Sequence, residues 1–139
     1  MSPEGKQTVI YLASPYSHPA KSVRIDRMRA VAALCARFMA MGTWVYSPIL
    51  HGHLLTPYIP HHHATSPDFW LPHCFRMMAL CDSMLVLRLP GAHESLGIAA
   101  EIRWAEEHGL AWSWVEPEII DLPDEEIRTI LSVLLPTQP

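Results

Sequence analysis

The residues best placed to do chemistry lie in the run Gly91-Ala92-His93-Glu94-Ser95-Leu96-Gly97-Ile98-Ala99-Ala100-Glu101. The run follows an apolar stretch and opens a helical pattern, and the free N–H groups at such a helix start favour an anion. Ser95 is a good N-cap, and Gly97 lets a ligand approach the backbone closely. Glu101 lies six residues beyond Ser95, among Ile98, Ala99, Ala100, Ile102 and Trp104. Burying a carboxylate in that company costs free energy unless it has partners or a chemical task. Two readings stand: an exposed helix Glu, or a carboxylate turned toward the edge that Ser95 occupies.

A second candidate is Tyr11-Leu12-Ala13-Ser14-Pro15-Tyr16-Ser17-His18, followed by Arg24 and Arg27. Hydroxyls at a strand end can hold sugar or phosphate oxygens, and Arg can clamp a phosphate. Turn chemistry beside surface Arg is the competing reading. His51-Gly52-His53 and His61-His62-His63 lack both the Cys partners and the helical pair four apart that zinc sites show, so no metal site is expected. His73-Cys74 admits a thiol nucleophile. A Cys on an amphipathic helix is more often a small buried hydrophobe, and Cys35 and Cys81 read that way. Phe69, Trp70, Leu71, Phe75, Met77 and Met78 read mostly as core, with one or two rings free to stack on a flat ligand.

These residues need elements to hold them. Residues 8–14 (TVIYLAS) read as a buried strand, 19–41 as a long helix stopped by Gly42, and 43–47 as a second strand. Residues 48–67 carry four Pro and five of the nine His, show no clear periodicity, and read as a long loop. Helix is predicted over 68–80, strand over 82–89, helix over 95–108, strand over 110–115 and helix over 123–135. Alternating strands and helices call for a three-layer flavodoxin- or Rossmann-like α/β sandwich with a parallel sheet of four to five strands. Ligands in such sheets sit beyond the carboxyl ends of the strands, where residues 14–18, 47–53 and 90–97 would meet.

Composition sets the outer bounds. The chain has 139 residues, half of them apolar and 17% charged, which fits one compact domain, with residues 1–7 expected to fray. A net charge of −4 gives no basic footprint for a nucleic-acid polymer. Three Cys make no disulfide framework and no apolar run approaches a membrane span, so the reducing cytoplasm is the expected compartment. Charge is uneven: residues 1–93 hold eight Lys/Arg against four Asp/Glu, and 94–139 hold two against ten. That asymmetry suits a small anion held near the basic half, or simply an acidic, solvated last helix.

The strand YLASPYSH, the helix bearing Arg24 and Arg27, the strand end YSPI with a following His, WLPHCFRMMALCDSMLVLRLPG and ESLGIAAEIRWAEEHG together resemble the nucleoside 2-deoxyribosyltransferase-like superfamily. More closely, they resemble short bacterial and phage proteins of uncertain function within it. The resemblance covers residues 8–115, and its most specific parts are YLASPYS and Ser-x-Gly-x-x-x-Glu at Ser95, Gly97 and Glu101. It implies a domain that cleaves or transfers the N-glycosidic bond of (deoxy)nucleosides or their 5′-monophosphates, with no metal or organic cofactor. On that resemblance Glu101 attacks the anomeric carbon to give a covalent glycosyl-enzyme. Ser95 and Gly97 match residues that hold the 5′-phosphate or 5′-hydroxyl, and Tyr11 matches a Tyr near the sugar. Ser14, Tyr16, Ser17, His18, Arg24 and His53 complete the expected substrate-binding set.

The superfamily also has a carboxylate, usually Asp, eight residues before the Asp that opens the third strand. Here Asp82 opens that strand and the matching position is Cys74. A thiol is a poor proton donor to a base nitrogen. Three alternatives follow: His73, Asp68 or a loop His (His51 or His53) takes the role, the bond needs little acid help, or the protein binds nucleotide without turnover. One general acid is worth ~10²–10⁴-fold in rate. Water as acceptor would make a hydrolase, and a second base a transferase. The resemblance further implies a homo-oligomer, dimer or tetramer, with sites shared between subunits.

Overall fold

A computed structural model describes residues 8–135, so the predicted fraying at residues 1–7 lies outside the described part. The chain runs β1 (Val9–Ala13), α1 (Lys21–Ala40), β2 (Trp44–Tyr46), α2 (Pro48–Leu55), α3 (His61–Ala64), α4 (Pro67–Ala79), β3 (Ser83–Leu87), α5 (Leu96–Glu107), β4 (Ala111–Val115) and α6 (Asp124–Leu134). Short 3-10 turns lie at Thr56–Tyr58, Ala92–Glu94 and Pro117–Asp121. All four strands are parallel, in the order β2-β1-β3-β4. This is the expected three-layer α/β architecture, at the lower strand count.

Strand alternation divides the core in two. Ile10, Leu12, Leu85, Leu87 and Val115 face Val31, Leu34, Cys35 and Phe38 of α1 and Ile127 of α6. Tyr11, Ala13, Met84 and Val86 face Cys74 and Met78 of α4 and Ile98 and Ala105 of α5. The register puts Tyr11 opposite both Tyr46 and Met84. Asp82 pins it: the Val9 N–H donates to its Oδ2 at 2.8 Å, and its own N–H donates to the Val9 carbonyl at 2.9 Å. On the other side Arg37 of α1 donates to the Ile120 and Leu122 carbonyls at 2.6 Å each and to Asp124 Oδ1 at 2.7 Å, which holds α6 in place.

Residues 48–67 depart from expectation. They form α2, a 3-10 turn and the single turn α3 rather than a loop. Ser47 starts α2, its Oγ accepting from the Leu50 N–H at 3.3 Å, with Pro48 in the first turn. No residue of α2 is fully buried, so the helix leaves no apolar stripe in the sequence. Phe69 also departs from the core reading at 39% exposure, while Met78 is fully buried. Among the described residues no helix is long and apolar enough to cross a membrane.

Candidate active site

Strand order reverses around β1 and β3: the chain leaves β1 toward β2 on one side, while β3 and β4 extend the sheet on the other. Crevices for ligands open at such a switch, beyond the strands' carboxyl ends. Beside that edge, β1 and α5 bring Tyr11 and Glu101 together. The Tyr11 hydroxyl donates to Glu101 Oε2 at 2.5 Å, and the two residues are 0% and 5% exposed. Burial pushes the Glu101 carboxyl up to about 7, against the opposing pull of the Tyr11 hydrogen bond. Burial and then the neighbouring Glu101 charge push the Tyr11 hydroxyl well above its ordinary value.

Cys74 of α4 completes this cluster, close enough to interact with both groups. Its thiol is buried and pushed up to about 11, by burial first and then by Glu101. Burial disfavours the thiolate that a nucleophile needs, which weighs against the thiol reading of His73-Cys74. Cys35 behaves likewise, pushed up to about 11 by burial.

Above the cluster, residues from the helical segment after β2 gather. The Tyr46 ring lies 5.8 Å from Tyr11 and 6.3 Å from His51. His51 stacks on His73 at 5.1 Å with planes 18° apart, both exposed. The Tyr16 hydroxyl and His53 Nδ1 share a hydrogen bond at 2.7 Å, tying the loop after β1 to α2. Trp70 packs over Gly52 and donates its indole N–H to the Ala64 carbonyl at 2.8 Å. Asp68, in the first turn of α4, is exposed and makes no contact with the cluster. Among the described residues no group of three or more His, Cys, Asp or Glu converges where it could hold a metal ion.

The edge is electropositive. Arg24 donates to the carbonyls of His18 and Pro19. Arg27 donates to the carbonyls of Ser17 at 2.9 Å and Pro90 at 3.0 Å, so it bridges the loops after β1 and β3. Gly91 has φ +91°, a left-handed backbone that favours glycine, and the Arg27 guanidinium lies where a Cβ would sit. Neither Arg pairs with a carboxylate among the described residues, so their charge is not cancelled locally. Ser17 and His18 are exposed, and the His18 Nδ1 accepts from the Ala20 N–H. Ser95 caps α5, accepting from the Ile98 N–H at 3.2 Å. Gly97 has no positive φ, and a Cβ there would meet only Ser95 Oγ at 3.8 Å. The fold therefore does not need glycine at this helix position, where it costs about 1 kcal/mol relative to alanine. The open space beside it leaves room for a ligand.

Sequence reasoning had no means of finding two features. Ser14 Oγ and the Tyr46 hydroxyl are buried with no hydrogen-bond partner among the described residues. Glu101 lines neither the cavity of about 530 Å³ between β4 and α6 nor the smaller one of about 200 Å³ over α1. Both of those open mostly on the α1 and α6 side of the sheet.

Fold and site together define a doubly wound α/β domain with a buried acid beside its switch point. The chain belongs to the family described as Domain of unknown function (DUF1937), whose model matches residues 8–116. No curated protein matches the chain.

Proposed function

We propose that the protein cleaves or transfers the N-glycosidic bond of a nucleoside or nucleoside 5′-monophosphate, with Glu101 as nucleophile. The observation that carries this reading is the buried Glu101 carboxylate, hydrogen-bonded by Tyr11 in an otherwise apolar layer. Such a group is costly to bury and does nothing for packing. In the proposed reaction an ionised Glu101 oxygen attacks C1′, the C1′–N bond breaks, and its electron pair leaves with the base. Negative charge from Glu101 faces the oxocarbenium-like carbon where positive charge develops. Tyr11 holds the carboxylate and favours its ionised form. Water or a second base then opens the glycosyl ester.

Leaving-base protonation falls to the His51–His73 pair. They stack on the cover beside Tyr46, whereas Asp68 lies off the cluster and Cys74 keeps its proton too tightly. Arg24, Arg27 and the free N–H groups at the start of α5 give a 5′-phosphate its attraction. Glu101 is 5% exposed, so a sugar reaches it only when the cover formed by α2 and α4 shifts. Exposed Leu54, Leu55, Tyr58 and Phe69 on or beside that cover support self-association.

A screen of nucleosides and 5′-monophosphates for released base tests the proposal. Wild-type protein is expected to release base from at least one, and Glu101→Gln to lose it by about 10³-fold or more with the fold intact. Equal release by the variant removes Glu101 from the reaction. Cys74 favours a second reading, a nucleotide-binding module of the same fold without turnover. It predicts saturable nucleotide binding and no free base after long incubation.

A further inference from the structure

We infer that the Tyr46 hydroxyl contacts the ligand, as a hydrogen-bond donor to a sugar hydroxyl lying next to Tyr11 and Glu101. The inference rests on the glycosidic reading and adds a residue that selects the sugar. β2 needs a large flat side chain at this position, facing Tyr11 across the strand pair. Phenylalanine would fill that place equally well. The hydroxyl is buried and has no hydrogen-bond partner among the described residues, and a buried polar atom without a partner is destabilising. Its partner therefore lies outside the described residues of this chain.

The surroundings decide what kind of partner. Tyr46 sits among groups that hold their protons, Tyr11, Cys74 and Cys81, with the Glu101 carboxylate just beyond Tyr11. An anionic ligand group would be repelled by that carboxylate and finds its counter-charge instead at Arg24 and Arg27. A neutral hydroxyl meets no such penalty. Burial pushes Tyr46 up to about 12, so it stays protonated and can donate. Ser14, just past the end of β1 and three residues after Tyr11, carries the other hydroxyl buried without a partner among the described residues. The exposed His51 lies against the Tyr46 ring and stacks in turn on the exposed His73, so the movement proposed to admit a sugar to Glu101 would also uncover this oxygen.

The test compares wild type with Tyr46→Phe on a ribonucleoside 5′-monophosphate and its 2′-deoxy and 3′-deoxy counterparts, measuring base release and melting temperature. Tyr46→Phe is expected to keep or raise the melting temperature, because it removes an orphaned polar atom. It is expected to lower kcat/KM about tenfold on the sugar whose hydroxyl is bound, and to leave the analogue lacking that hydroxyl unchanged. The two sugars then converge. An active wild type with an equally active Tyr46→Phe overturns the role of Tyr46 while leaving Glu101 in place. So does an equal loss on every sugar. The three carry the base found in the base-release screen, and a wild type that releases no base anywhere in that screen overturns both this inference and the reading beneath it.

Discussion

The two faces of one small sheet have been put to different uses. Toward α1 and α6 the strands bury Ile10, Leu12, Leu85, Leu87 and Val115, and the helices answer with Val31, Leu34, Phe38 and Ile127. Toward α4 and α5 the same strands present Tyr11 and Met84, and the helices answer with Cys74, Met78 and Glu101, the one buried carboxyl group among the described residues. The first face is settled by hydrocarbon packing. The second is also buried but carries an acid, a phenol and a thiol. A fold this small can place polar groups there because the other face supplies uninterrupted apolar burial.

Four changes in stability would sharpen or break that contrast, given from the largest effect to the smallest. Leu85→Ala, on the apolar face, is expected to cost about 3–5 kcal/mol in denaturant unfolding, equally at pH 5 and pH 8. Raising the pH should cost wild type on the order of 3 kcal/mol through the opposite face. Glu101 binds its proton more tightly folded than unfolded, so its contribution is full below about pH 4.5 and is lost as pH rises through about 7. Glu101→Gln should flatten that part of the profile, and an unchanged profile would place the titration elsewhere. Tyr11→Phe leaves the carboxylate without its donor. It should cost about 1–3 kcal/mol at pH 8 and less at pH 5, where Glu101 is protonated. If Glu101 is the nucleophile and the His51–His73 pair the acid, Cys74→Ser should cost under about 1.5 kcal/mol and leave base release within severalfold.

Much of this arrangement was legible in the residues. The strand SMLVL announces itself by an apolar run buried on both faces, and the helix bearing Val31, Leu34, Cys35 and Phe38 by the period that one-sided burial imposes. Glu101 was visible because a charged residue among Ile98, Ala99, Ala100 and Ile102 asks for an explanation. The helix α2 was not visible because none of its residues is fully buried and no apolar stripe marks it, although Ser47-Pro48 is a start signal. The stacking of His51 on His73 joins residues on separate helices, and no local spacing encodes it. Tyr46 passed for strand packing because its ring does pack. Only its stranded hydroxyl gives it away, and that needs coordinates.

The most direct measurement is mass spectrometry of the protein quenched during reaction with a substrate found in the base-release screen. The account predicts a glycosyl adduct on the peptide containing Glu101, absent in Glu101→Gln and lost on adding water or acceptor base over time. Base released with no adduct, or an adduct on any other residue, would contradict it.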